Sequence, residues 1–300
     1  MSLEQLRINI RDISHARWQG QRIQWSAYAF ILPFFIPFLV LTVGAILFGA
    51  YVSFTKWGIV GSPQWVGMQN YQDVFADERV RIAFWNTFRY AFLIVPNVVI
   101  LGLIFAIYVN QRWPGYLFAR TAFYAPNVVS ATVIGLVWVW MLDTKFGIVN
   151  QYLGISIPWL TSPKWALFGV SLASIWWDTG LAFVLFLAAL QEVETEQKEA
   201  ASLDGANRFQ IFWYVILPAI RPTLSMVITL QIITTLRIFS KVLVMTDGGP
   251  ASASMSVIYY IYRSGVSQNH LGFASALSLV LFLLILVITL IQLRFIRERD

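Results

Sequence analysis

A chain of 300 residues that is 58% hydrophobic and only 12% charged, with a mean hydropathy of +0.67, carries too little polar surface to cover a water-soluble globule of its size. Its net charge of +6 does not make it a nucleic-acid binder, because the lysines and arginines stand at segment ends and in short loops and form no basic stripe. The absence of cysteine excludes a disulfide framework and a thiolate metal site, and what remains is a chain solvated by lipid.

Six apolar stretches are long enough to cross a hydrocarbon core of about 30 Å at about 1.5 Å rise per residue. They lie near 27–52, 84–109, 117–142, 166–190, 211–236 and 273–295. The first follows a polar tail over 1–26. It runs through Tyr51-Val52-Ser53-Phe54 into Lys56-Trp57 with no small-residue cleavage pattern, so it reads as a retained helix and not a signal peptide. Prolines interrupt several stretches (Pro33, Pro37, Pro96, Pro126, Pro218 and Pro222), which lipid tolerates only where neighbouring helices re-satisfy the freed backbone groups. The predicted fold is therefore all-α. It is one polytopic membrane helix bundle over 1–300, with six transmembrane helices and a short C-terminal tail over 296–300.

An even number of spans puts both termini on one side. That side holds Arg7, Arg11, Arg17, Arg22, Arg112, Arg120, Lys198, Arg208, Arg294, Arg297 and Arg299. The opposite side holds Lys56, Arg79, Arg81, Arg89, Lys145, Lys164, Lys241 and Arg263 in longer loops. The excess of 11 over 8 places both termini in the cytoplasm. Trp25, Trp57, Trp138 and Trp140 stand near span ends, where aromatic rings suit the headgroup region.

The connection between the fourth and fifth spans carries the most information. Residues 192–204 are good helix formers with acidic residues in the first turn, and Glu194 is spaced to pair with Lys198 at i,i+4. Gly205 supplies a left-handed stop. A short cytoplasmic helix, a sharp turn and a second helix entering the membrane before Pro218 follow from this pattern. Ala200 and Ala201 leave a shallow face that another protein can approach closely, with Glu199 and Asp204 as charged flanks.

These residues carry a family resemblance. Glu199-Ala200-Ala201, Gly205 four residues after Ala201, and Val215-Ile216-Leu217-Pro218 nine residues later resemble the E-A-A-x3-G-x9-I-x-L-P signature of permease subunits of binding-protein-dependent ABC importers, with valine at the usual isoleucine. Leu203-Asp204-Gly205-Ala206, Phe209-Gln210, Thr246-Asp247-Gly248-Gly249-Pro250, Ile258-Tyr259 and Phe273-Ala274-Ser275-Ala276 are similar to the carbohydrate-uptake permeases related to the maltose transporter. So are Trp140, Gly147 and Asn150. The resemblance covers roughly 25–296. One departure stands out: Val193-Glu194 and Gln197-Lys198 replace an Ile-Pro and a Leu-Tyr pair frequent in the family, making the outer face of the loop more charged.

The resemblance implies a bacterial or archaeal inner-membrane protein with four kinds of partner. These are a homologous second permease, two ABC ATPase subunits, an extracytoplasmic solute-binding protein, and a sugar or sugar-like solute. Glu199, Ala200, Ala201, Leu203, Asp204 and Gly205 are the expected ATPase-coupling residues. No cofactor is implied. No Gly-Lys dipeptide occurs in the chain, so the P-loop G-x-x-x-x-G-K-[ST] is missing and the chain is not itself the ATPase.

Asp178, Arg221 and Arg237 fall inside or at the edge of predicted spans, where an ionised side chain costs about 2.5–3.5 kcal/mol and faces a cavity or a partner. Gln231 and Thr235 share one face of the fifth span, with Thr234 and Arg237 adjacent, and Trp176-Trp177-Asp178 lies in the fourth. Flat rings with amides and carboxylates are what sugar binding uses. In maltose-type permeases the corresponding parts of these helices contact sugar, so Trp177, Asp178, Gln231, Thr235 and Arg237 are the candidate solute-binding residues. Interhelical hydrogen bonding is the plainer use of the same polar groups. His15 and His270 lie far in sequence from any carboxylate cluster, and no Ser-His-Asp set or H-E-x-x-H is present. The competing reading is an ion-coupled secondary solute carrier, which predicts repeat halves, broken helices and intramembrane acidic relays.

Overall fold

The computed structural model describes residues 25–58 and 61–297, so the two expected tails lie almost wholly outside the described residues. The chain divides into two units, one up to Tyr51 and one from Val52 onward. In the first, helix α1 (Trp25–Pro37) passes through a wide π turn at Phe38–Val43 into α2 (Gly44–Ser53). Pro33 and Pro37 cannot donate to the i−4 carbonyl, and the chain widens directly after the second of them.

The second unit begins with an antiparallel hairpin of β1 (Thr55–Lys56) and β2 (Gln64–Trp65), followed by α3 (Gln69–Ala76). Asn70 of α3 donates to the carbonyls of Ser53 and Thr55 at 2.8 and 2.9 Å. Asp77 then caps α4 (Glu78–Asn110), accepting from Arg79 N–H at 2.7 Å. Helix α4 packs along α8 (Ala166–Glu192), and Tyr90, Ile94, Val98, Phe183 and Phe186 are fully enclosed between the elements of this core. Close approach is possible because Gly102 has no Cβ: one built there would lie 2.9 Å from Ala182 Cβ and 3.1 Å from Phe183 N. Small residues at such contacts replace, inside a bilayer, the hydrophobic drive that lipid removes.

Among the described residues, four helices are long and apolar enough to cross a membrane, over Phe30–Ser53, Glu78–Asn110, Ala166–Glu192 and Leu271–Gln292. Two bent pairs bring the number to six. The stretch expected as one span over 117–142 is α5 (Tyr116–Val128) and α6 (Ala131–Met141), bent by 104°. Pro126 weakens the last turn of α5, Val129 is extended, and Ser130 starts the new helix by accepting from Val133 N–H at 3.4 Å. The bend is tied to α8: Trp177 Nε1 donates to the Val129 carbonyl at 2.9 Å, and Asn127 Nδ2 donates to the Trp177 carbonyl at 3.2 Å. Helix α7 (Ile148–Leu153) follows α6 in the connection to α8.

The stretch expected over 211–236 is bent too, by 69° at Ile220. The residues before the bend, Arg208–Ala219, comprise α10 (Arg208–Ile211), a π turn at Phe212–Ile216 and α11 (Leu217–Ala219). After it runs α12 (Arg221–Leu236), with Pro222 in its first turn, where no N–H is needed. Ile220 is 1% exposed, so the elbow itself is anchored in the core.

Beyond α12 come α13 (Ser240–Thr246), α14 (Val257–Tyr262), a π turn at Arg263–Ser267 and α15 (Leu271–Arg297). The loop between α13 and α14 turns through Asp247 and Gly248, both left-handed. It is held by α4: Asn86 Nδ2 donates to the carbonyls of Ser252 and Met255 at 2.9 and 3.2 Å, and Tyr90 OH to the carbonyl of Ser254 at 3.0 Å. Thr87 Oγ1 accepts from Val257 N–H at 3.1 Å. Gly272 of α15 lets that helix touch the hairpin, since a Cβ there would collide with the Thr55 carbonyl.

Candidate functional site

The connection after α8 folds as helix α9 (Thr195–Leu203), which buries none of its residues. It starts three residues later than the sequence suggests, because Val193 is extended and Glu194 stands outside the helix as its N-cap. The expected Glu194–Lys198 ion pair is not formed. Lys198 Nζ instead donates to the Val193 carbonyl at 3.0 Å, and Glu194 accepts from Gln197 Nε2 at 2.9 Å. A carbonyl left open at the end of α8 is the nearer and less solvated acceptor for the ammonium.

The end of α9 follows the sequence reading. Gly205 sits at φ +85, where other residues are strained, and Ala206 N–H reaches back to the Ala201 carbonyl at 3.0 Å. Asn207 opens α10 with a capping box, accepting from Gln210 N–H at 2.9 Å while its own N–H donates to Gln210 Oε1 at 2.8 Å. Two successive caps make this turn stiff. Around it Glu199, Ala200 and Asp204 are exposed and Ala201 is half-buried. Leu203 is 89% exposed and Phe209 71%, an unusual exposure of apolar side chains beside an acidic helix.

A second locus lies where α8, α12 and α13 meet. Trp177, Asp178, Thr235 and Arg237 line one cavity of about 200 Å³, together with Thr234 and Lys241. Four of the five candidate solute residues are thus brought together from two separate stretches of sequence. Gln231 lies one turn below Thr235 on the same helix and does not line the cavity. Gln231 and Thr235 are 3% and 2% exposed, yet Gln231 Oε1 and Thr235 Oγ1 have no protein partner. A buried oxygen without a donor is costly, so these atoms require a group from outside the chain or water. Arg237 is exposed, and Arg221 is exposed at the bend.

Lys241 is the residue that sequence reasoning missed. Counted there as a loop charge, it is 6% exposed; its Nζ lies 3.4 Å from Asp178 Oδ2 and 4.4 Å from the centre of the Trp177 ring. The available signal was local: Lys241 stands in an otherwise apolar run, between Ile238-Phe239 and Val242-Leu243 with only Ser240 polar beside it. Asp178 consequently serves as the partner of a buried cation, and one of its oxygens is engaged before any solute arrives.

Residues 98–299 match the binding-protein-dependent transport system inner membrane component family. A probable ABC transporter permease of Pyrococcus horikoshii is 30% identical over 87% of this chain and 93% of its own. The arabinooligosaccharides transport permease of Halalkalibacterium halodurans is 32% identical over 89% of this chain and 86% of its own. Among solved structures, a bacterial ABC transporter involved in the import of the acidic polysaccharide alginate superposes with a TM-score of 0.83 at 23% identity, covering 94% of this chain and 98% of that one. The family match over most of the sequence, with relatives aligned over nearly their whole length, makes this chain a member of the binding-protein-dependent transport system inner membrane component family, the permeases of ABC importers.

Proposed function

We propose that the chain forms, with a second permease subunit, the alternating-access pathway for a sugar or sugar-like solute delivered by an extracytoplasmic binding protein. ATP hydrolysis takes place on two separate ATPase subunits. Relatives named for arabinooligosaccharide and sulfoquinovosyl glycerol transport support a saccharide cargo. The observation that carries the reading is the exposed helix Thr195–Leu203, closed by left-handed Gly205 and joined through stiff caps to the elbow at Ile220. Glu199, Ala200, Ala201, Leu203, Asp204 and Gly205 form the seat for the ATPase. Motion of the ATPase passes through the elbow to α12, which bears Gln231 and, one turn further on, Thr235; Thr235 and the capping Arg237 line the cavity with Trp177 and Asp178.

Both termini then face the cytoplasm, and the loop between α13 and α14 faces the binding protein. The bends at Val129 and Ile220 are shared with the broken helices of ion-coupled carriers, but family membership and the exposed α9 favour the ATP-driven reading. The test is co-purification followed by reconstitution. An ATPase should travel with the chain, and hydrolysis should rise when a transported saccharide and its binding protein are added. Purification without any ATPase, together with uptake driven by an ion gradient, would overturn the proposal.

A further inference from the structure

The cavity beneath α13 carries more positive charge than the chain neutralises. Three ionisable side chains line it: Asp178, Lys241 and Arg237. The first two cancel, their side chains each 7% exposed and their charges 3.4 Å apart. Lys241 has three N–H donors and gives one hydrogen bond, to Asp178, while the Trp177 ring stabilises its charge but offers no acceptor oxygen. Arg237 has five donors, and no acceptor among the described residues takes a side-chain hydrogen bond from it. The balance is one uncompensated positive charge with several unused donors, beside the unpartnered Thr235 hydroxyl.

An alternating-access site closes around its cargo. Closing over a neutral sugar would enclose the Arg237 guanidinium with no counter-charge from the described residues of this chain, which is costly in a medium of low dielectric. An anionic group removes that cost and uses the planar fork of the guanidinium. We infer that the cargo is an acidic saccharide or sugar-like solute, whose carboxylate, sulfonate or phosphate is set against Arg237 and Lys241 while its hydroxyls meet Thr235 and the free oxygen of Asp178. The inference rests on the saccharide reading above and adds the charge class. Lys241 acts as a second cation held in place by Asp178, and Arg237 is the residue that discriminates.

The test uses the complete importer with its binding protein in proteoliposomes and three matched pairs: cellobiose with cellobiouronate, galactobiose with digalacturonate, and glucose with glucose 6-phosphate. Uptake and solute-stimulated hydrolysis are measured for each. The expected result is that the acidic member of at least one pair is preferred by about tenfold or more, as loss of a hydrogen bond to a charged group implies. Arg237→Gln should then cut uptake of the acidic member by about tenfold more than uptake of its neutral partner, and Arg237→Lys should restore most of that difference. Arg237 is exposed, so neither substitution threatens folding. Neutral members moved as well as acidic ones, or a preference unchanged by Arg237→Gln, would overturn the charge class and leave the saccharide reading standing. No stimulation by any of the six would overturn the saccharide reading and this inference with it.

Discussion

Replacing Lys241 with methionine leaves the carboxylate of Asp178 buried without its partner, and the consequence can be estimated. At 3.4 Å and an effective dielectric of about 20, the pair attracts by roughly 5 kcal/mol before desolvation is counted. With both side chains only 7% exposed, water cannot take over the role of the lost partner. Breaking such a pair from one side costs about 3–5 kcal/mol, whereas replacing both members by apolar groups of similar volume is near neutral. Lys241→Met and Asp178→Leu should therefore each lower stability by that amount, and the double variant should recover most of it. The assay is denaturation of the purified complex in lipid nanodiscs, read as a double-mutant cycle in which the two single losses, summing to about 6–10 kcal/mol, largely disappear in the double variant. Additive single losses below about 1 kcal/mol would refute the pair as a buried interaction and would mean that both groups are solvated through the cavity.

Four further outcomes are expected. Gly205→Pro cannot hold φ +85 and loses the N–H bond to the Ser202 carbonyl, so the complex should retain far less ATPase while the membrane bundle still folds; pull-down yield measures it. Ala200→Arg places a bulky charge on the shallow face and should weaken ATPase retention by about tenfold or more, read by the same pull-down titrated with ATPase. Gly272→Ala drives a Cβ into the Thr55 carbonyl and should cost about 1–3 kcal/mol, seen as a lower denaturation midpoint. With no native cysteine to interfere, Ala251→Cys, at an exposed position, should react with an impermeant maleimide only from the extracytoplasmic side.

What the sequence reveals and conceals has a common cause. The existence of six apolar segments is legible because lipid imposes a length and forbids open backbone, and Gly205 is legible because its φ of +85 all but requires glycine. The prolines mark where α5–α6 and α11–α12 weaken. The angles of 104° and 69° depend on distant partners such as the Trp177 indole, which fills the bend at Val129. Lys241 is misread for the same reason: its counter-charge lies 63 residues away, and counting charges by loop cannot see a pairing across helices. Gln231, Thr235, Trp177, Asp178 and Arg237 are recognisable as polar groups in apolar surroundings. Which of them share a cavity is decided by the meeting of α8, α12 and α13.

The loop between α13 and α14 hangs from Asn86 and Tyr90 of α4 by its own main-chain carbonyls at Ser252, Ser254 and Met255. A carbonyl is the same whatever side chain follows it, so the attachment to α4 does not read the side chains at the exposed tip, while buried Ser254 and Met255 are held by contacts of their own. Ala251 and Ser252 sit at positive φ, which disfavours β-branched replacements but leaves small and polar ones open. If this loop faces the binding protein, as proposed above, a transporter of this build can acquire a new binding protein by altering the exposed tip of the loop, with no matching change in the membrane.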